Sequence, residues 1–89
     1  MANYNNYRNG NQSDGPIEFR IVERLGVLDT HKSGWSREVN LVAWNGLPPK
    51  FDIRDWDPDH ERMGRGITLT EDAAEKLAIA LADRYKLGR

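Results

Sequence analysis

The side chains best suited to engaging a ligand in this 89-residue chain are three tryptophans and thirteen lysines and arginines. Trp44, Lys50, Arg54 and Trp56 lie in segments of alternating polarity and share one phase of that alternation. A strand with period two puts residues of one phase on one face, so aromatic planes and cations are expected side by side. Unpaired nucleic acid needs such a surface, because each base offers a π-face to stack on and each phosphate a charge to pair with. Stacking contributes on the order of 1 to 3 kcal/mol per base. The bland alternative for either tryptophan is a place in the core or at a dimer interface. Arg20 and Arg24 take the outward phase of an earlier strand, and Lys32, Trp35 and Arg37 sit at the loop that follows. They either extend the same track or form ordinary solvated surface. Arg65 lies between two glycines, where the phase is open.

A second cluster invites an enzymatic reading. Asp55, Asp57, Asp59, His60 and Glu61 crowd one turn and could act as metal ligands or as general acid and base. Alternate residues at a strand end and a tight turn diverge into water, however, whereas a hydrolytic site needs convergence on a pocket. The sequence has no nucleophile elbow, phosphate-binding glycine loop or HExxH pattern. No catalytic residue, metal site, cofactor or small-molecule substrate is therefore expected.

The elements that position the aromatic and basic residues follow from the pattern of apolar and turn residues. Met1 to Pro16 holds five asparagines and little that can build a core, so a disordered tail is expected over 1–16 and one folded domain over 17–89. Arg8, Tyr4 and Tyr7 in that tail could also help hold a strand of nucleic acid. Ile17, Phe19 and Ile21 open a long half-buried strand that continues through Leu25 and Val27, and Gly26 suggests a bulge within it. Asp29 to Gly34 reads as a loop. A second strand is expected at Arg37 to Trp44, an Asn45-Gly46 turn closed by Pro48-Pro49, and a third strand at Lys50 to Trp56. After the turn at Asp57-Pro58, residues Gly64 to Leu69 form a fourth strand, and Thr70 caps a helix with Ala74, Leu77, Ala78, Leu81 and Tyr85 on one face. The result is an α+β domain: a four-stranded curved antiparallel meander followed by one C-terminal helix (ββββα). The helix is expected to cover one sheet face and leave the tryptophan face open.

Size and charge bound the function. A folded part of about 70 residues buries a thin core, and with no cysteine to form disulfides, self-association is the remaining remedy. A homodimer is expected, with Ile79 or Leu87 at its interface because both fall off the main helix stripe. The net charge of -1 counts against a nucleic-acid partner unless charge is sorted onto faces. It favours, as the alternative function, a protein-interaction module using the same open sheet. No apolar run approaches the roughly 20 residues that cross a bilayer, and the N-terminus has no basic and then apolar run, so a cytoplasmic protein without membrane contact is expected.

The run Phe51-Asp52-Ile53-Arg54-Asp55-Trp56, followed by Gly64-Arg65-Gly66-Ile67-Thr68-Leu69-Thr70, resembles the single-stranded-DNA-binding domain of the transcriptional coactivator positive cofactor four. The Trp44-Asn45-Gly46 turn leading to Pro48-Pro49-Lys50 is similar to that of its bacterial YdbC-like branch. The resemblance covers Ile17 to about Leu87. It implies a dimer of ββββα units whose curved sheets hold single-stranded DNA with little sequence preference, in transcription regulation or genome maintenance. RNA is the alternative ligand, because such a surface does not by itself sense the 2′-hydroxyl. On the matched positions it implies DNA contacts at Arg54 and Trp44, with Lys50 near a family lysine. Trp56 stands one place before the family's best-known stacking tryptophan, and Asp57 occupies that place here.

Overall fold

A computed structural model describes residues 17–88. The tail expected over 1–16 lies outside the described residues. Four strands follow one another, β1 (Phe19–Thr30), β2 (Ser36–Trp44), β3 (Lys50–Trp56) and β4 (Met63–Leu69), and a helix, α1 (Glu71–Tyr85), ends the domain. The strands form one antiparallel sheet in the order β1-β2-β3-β4, the meander expected from the turn chemistry.

Local chemistry explains the joints. Asn45 and Gly46 both have positive φ, 51° and 76°, and Leu47 N–H donates to the Trp44 carbonyl at 2.8 Å, the geometry a two-residue turn requires to match strand twist. Thr70 is extended, and its hydroxyl accepts from Ala73 N–H at 3.1 Å, with Glu71 and Asp72 in the positive first turn. Lys86 closes the helix in the left-handed conformation, its N–H returned to the Ala82 carbonyl. The first loop is shorter than the sequence suggests, because β1 runs on through Thr30 and His31 N–H pairs with the Trp35 carbonyl at 2.8 Å.

The sheet is strongly curled. Trp56 pairs across the ladder with Ser36, and Phe19 pairs with Trp44 at the other end of β2. On a flat strand those ends lie about 26 Å apart, at about 3.3 Å per residue. Yet the Phe19 and Trp56 rings have centroids 5.1 Å apart. Opposite ends of the sheet, on β1 and β3, therefore meet above the face carrying Glu38, Asn40, Val42, Asp52 and Trp56, which becomes the inside of the curl. β1 supplies much of the bend, through register shifts between Ile21 and Glu23, Arg24 and Gly26, and Val27 and Asp29. Each bulge adds a residue and sharpens the twist.

This curl reverses the expected distribution of burial. Val42, Asn40, Asp52 and Trp56 are fully buried, and all lie on the face expected to be open. Helix α1 approaches β3 and β4 only and buries none of its residues. Leu77, Leu81 and Tyr85, the expected contact stripe, are exposed, as are Ile79 and Leu87.

Candidate nucleic-acid interface

The inner face is built from four strands that each contribute side chains of one phase. From β2 come Ser36, Glu38, Asn40, Val42 and Trp44; their ladder partners on β3 are Trp56, Arg54, Asp52 and Lys50. β4 adds Thr68 opposite Asp52 and Gly66 opposite Arg54, and β1 adds Phe19 opposite Trp44 and Arg24 opposite Asn40. Gly66 is required by close approach, since a Cβ there would overlap the Arg54 side chain and the Ile53 carbonyl.

Arg54 and Trp44 meet at the centre. The guanidinium carbon lies 5.1 Å from the indole centroid, although the ladder separates their positions by about 20 Å on a flat sheet. Asp52, fully buried, takes two hydrogen bonds from Arg54, at 2.7 Å from Nε and 3.0 Å from the second amino group, and a third from the Thr68 hydroxyl at 3.2 Å. A further Arg54 amino group donates to the Gly64 carbonyl at 3.2 Å. Only 15% of the Arg54 side chain is exposed. Its charge is thus matched within the protein, and what it presents is a plane held against Trp44 rather than a free cation. Lys50 and Arg24, on the same face, are exposed.

Trp56 differs from the expectation of a second stacking platform. Its ring is buried between Phe19, at 5.1 Å, and His60, stacked at 5.9 Å with planes 29° apart. Alternation assigned its face correctly, and curvature then sealed it. His60, with φ of 59°, turns back from the 57–62 loop so that Nε2 lies 3.0 and 2.9 Å from the two Glu38 carboxylate oxygens. Burial pushes the Glu38 carboxyl up, but hydrogen bonds from Ser36, His60 and Asn40 outweigh it and hold the group below the usual glutamate value. Asp57 does not face water either. Its Oδ1 accepts from the Glu61 and Arg62 amides at 2.8 and 3.0 Å, and the Arg62 bond first, with the Glu61 bond, outweighs the upward push of burial and leaves its carboxyl lowered. Among the described residues no three His, Asp or Glu side chains are arranged to hold a metal ion.

The remaining basic candidates do not extend the same track. The bulge after Ile21 changes the phase of β1, so Arg20, opposite Ala43, and Arg24, opposite Asn40, lie on opposite faces. Arg37 is on the outer face, where Nε donates to Asp55 Oδ1 at 3.0 Å. His31 Nε2 is 3.3 Å from the same oxygen. Burial raises the Asp55 carboxyl, but the Arg37 and His31 bonds outweigh it and hold the group low. Trp35 packs over Gly64 on that side, where a Cβ would sit 3.7 Å from its ring and 3.3 Å from Asp55. Arg65 alternates with Gly66 and so shares the outer phase of Ile67, and Lys32 is exposed in the first loop. Of the ten candidates, Arg24, Trp44, Lys50, Arg54 and Trp56 are brought together. Composition did not single out Phe19, Glu38, Asn40, Asp52 and Thr68. The signal for the last four was a polar residue at a strand-interior position on the face of Trp44, and for Phe19 an apolar ring in that face's phase.

The model of the family described as Transcriptional Coactivator p15 (PC4) matches residues 31–80. The chain is also 40% identical over 72 residues to a protein of Treponema pallidum (strain Nichols) described as uncharacterized, covering 81% of this chain and 82% of that protein.

Proposed function

The chain belongs to the transcriptional coactivator p15 (PC4) family, and we propose that it binds single-stranded DNA along the inner face of its curled sheet, as a homodimer and without catalysing a reaction. The observation that carries this reading is the Arg54 guanidinium lying 5.1 Å from the Trp44 ring on that face. The guanidinium over the ring forms a rigid, sequence-tolerant stack of the kind that unpaired bases extend. Lys50 and Arg24 beside it, both exposed, supply the phosphate contacts that the neutralised Arg54 does not. A dimer accounts for the apolar surface of α1, which its own chain leaves exposed. Such a protein serves transcription regulation or genome maintenance in the cytoplasm, where single strands arise.

Fluorescence anisotropy of a labelled oligothymidine, scanned against salt, tests the reading. Binding at low salt that weakens linearly in log-log form is expected. Unchanged anisotropy at low salt would overturn it in favour of a protein-interaction module. Equal affinity for the matching oligouridine would widen the ligand to RNA.

A further inference from the structure

A cleft of about 240 Å³ opens at the corner of the sheet where β1 begins and β2 runs into its turn, lined by Glu18, Phe19, Arg20, Ala43, Gly46 and Leu47. Its frame is fixed before any ligand arrives. Glu18 N–H donates to Asn45 Oδ1 at 3.0 Å, and Asn45 N–H donates to the Glu18 carbonyl at 2.7 Å, so the root of β1 is clasped to the turn. Such a preformed wall spares a ligand the cost of ordering it. Leu47 is 60% exposed, a large apolar side chain left uncovered, while Phe19 and Ala43 add apolar surface beside it. Arg37, Arg54 and Arg62 are each held by an aspartate. Arg20 is exposed and, among the described residues, forms no ion pair with Glu18 or with any other acid, so its charge is available to a ligand.

Volume and position together select the occupant. The cleft is smaller than the roughly 300 to 1,000 Å³ of sites that enclose a cofactor or a drug-sized molecule, and it suits one planar ring. An apolar slot beside an unpaired cation fits a base and its phosphate. Phe19 is shared with the inner face, where its ring lies 6.2 Å from that of Trp44. β1 is an edge strand, so a nucleic acid strand lying against Trp44 reaches the cleft by passing round that edge. We propose that the cleft holds the nucleotide flanking the one at Trp44, with its base against Leu47 and its phosphate paired to Arg20. The proposal rests on the single-strand reading above and gives it a second subsite. It also gives a role to Arg20, which faces away from Trp44 and meets the strand only where the strand turns the corner.

Two measurements on the full chain test it, with an oligothymidine long enough for affinity to have levelled off with length. In salt-scanned anisotropy, Arg20→Ala should lower the slope of log affinity against log salt by about one. Leu47→Ser should weaken binding by about fivefold and leave that slope unchanged. Both side chains are exposed, so both variants keep the fold. In an NMR titration of the unaltered protein, the Gly46 amide and the Leu47 methyl resonances should move together with the Trp44 indole. An unchanged slope in Arg20→Ala, or a Leu47 methyl that stays still while the Trp44 indole moves, would overturn the proposal and leave the single-strand reading intact. Movement of the Gly46 and Leu47 resonances when Tyr4 and Tyr7 are replaced by serine, with no DNA present, would assign the cleft to the chain's own tail and overturn it as well. A titration that moves no resonance at all would overturn the underlying reading.

Discussion

At the scale of single residues, the inner face divides its labour between planes and charges. Trp44→Ala removes the stacking plane and should weaken oligothymidine binding by about 1 to 3 kcal/mol, measured by anisotropy. Lys50→Ala and Arg24→Ala should instead each lower the slope of log affinity against log salt by about one. Arg54→Ala should weaken binding and leave that slope unchanged, because Asp52 already matches its charge. A slope reduced by Arg54→Ala would show a phosphate contact and contradict the role given to it. The sequence made the shared face of Trp44 and Arg54 legible, since period two is a local property of an extended chain. It could not reveal that Asp52 neutralises Arg54, or that Trp56 is sealed beneath Phe19 and His60. Both depend on how far the sheet curls, which alternation does not encode.

At the scale of elements, the turns and caps were legible and the bends were not. Asn45-Gly46 and Thr70 act through their own backbone and neighbours, so their chemistry can be read from a few residues. Thr70→Ala should therefore lower stability by about 1 kcal/mol, seen as a shift in urea midpoint with binding preserved in the folded fraction. Gly66→Ala should be more damaging, at about 2 kcal/mol or more, because its Cβ has no room beside Arg54 and the Ile53 carbonyl. An unchanged urea midpoint in Gly66→Ala would mean that β3 and β4 are held apart more than the ladder shows. The three register shifts of β1 had only Gly26 as a sign. At Val22 and Leu28 the inserted residue is an ordinary strand former, so Arg20 was placed in phase with Arg24 although the chain turns them to opposite faces.

At the scale of the whole molecule, stability and assembly rest on features that neither one residue nor one strand contains. Glu38, Asp55 and Asp57 all have carboxyls held below their ordinary values of 4.5 for glutamate and 3.8 for aspartate. A lowered folded-state pKa stabilises the fold above the unfolded value and is lost as pH falls through the folded one. The urea midpoint should therefore drop as pH is taken below about 4, and Glu38→Gln should flatten part of that drop. A midpoint constant down to pH 3 would contradict the ion-pair assignments. The helix stripe of Leu77, Leu81 and Tyr85 was legible as apolar, but its exposure was not, since periodicity says that a face is apolar and not whether its own sheet covers it. If the proposed homodimer buries this stripe, the unaltered protein should run as a dimer on gel filtration and Leu81→Glu as a monomer. The central claim, that single strands lie on the inner face against Trp44, is tested most directly by the three indole N–H resonances in a proton–nitrogen NMR titration with oligothymidine. The Trp44 resonance should move most and that of Trp35, on the outer face, least; a shift confined to Trp35, with Trp44 unmoved, would contradict the account.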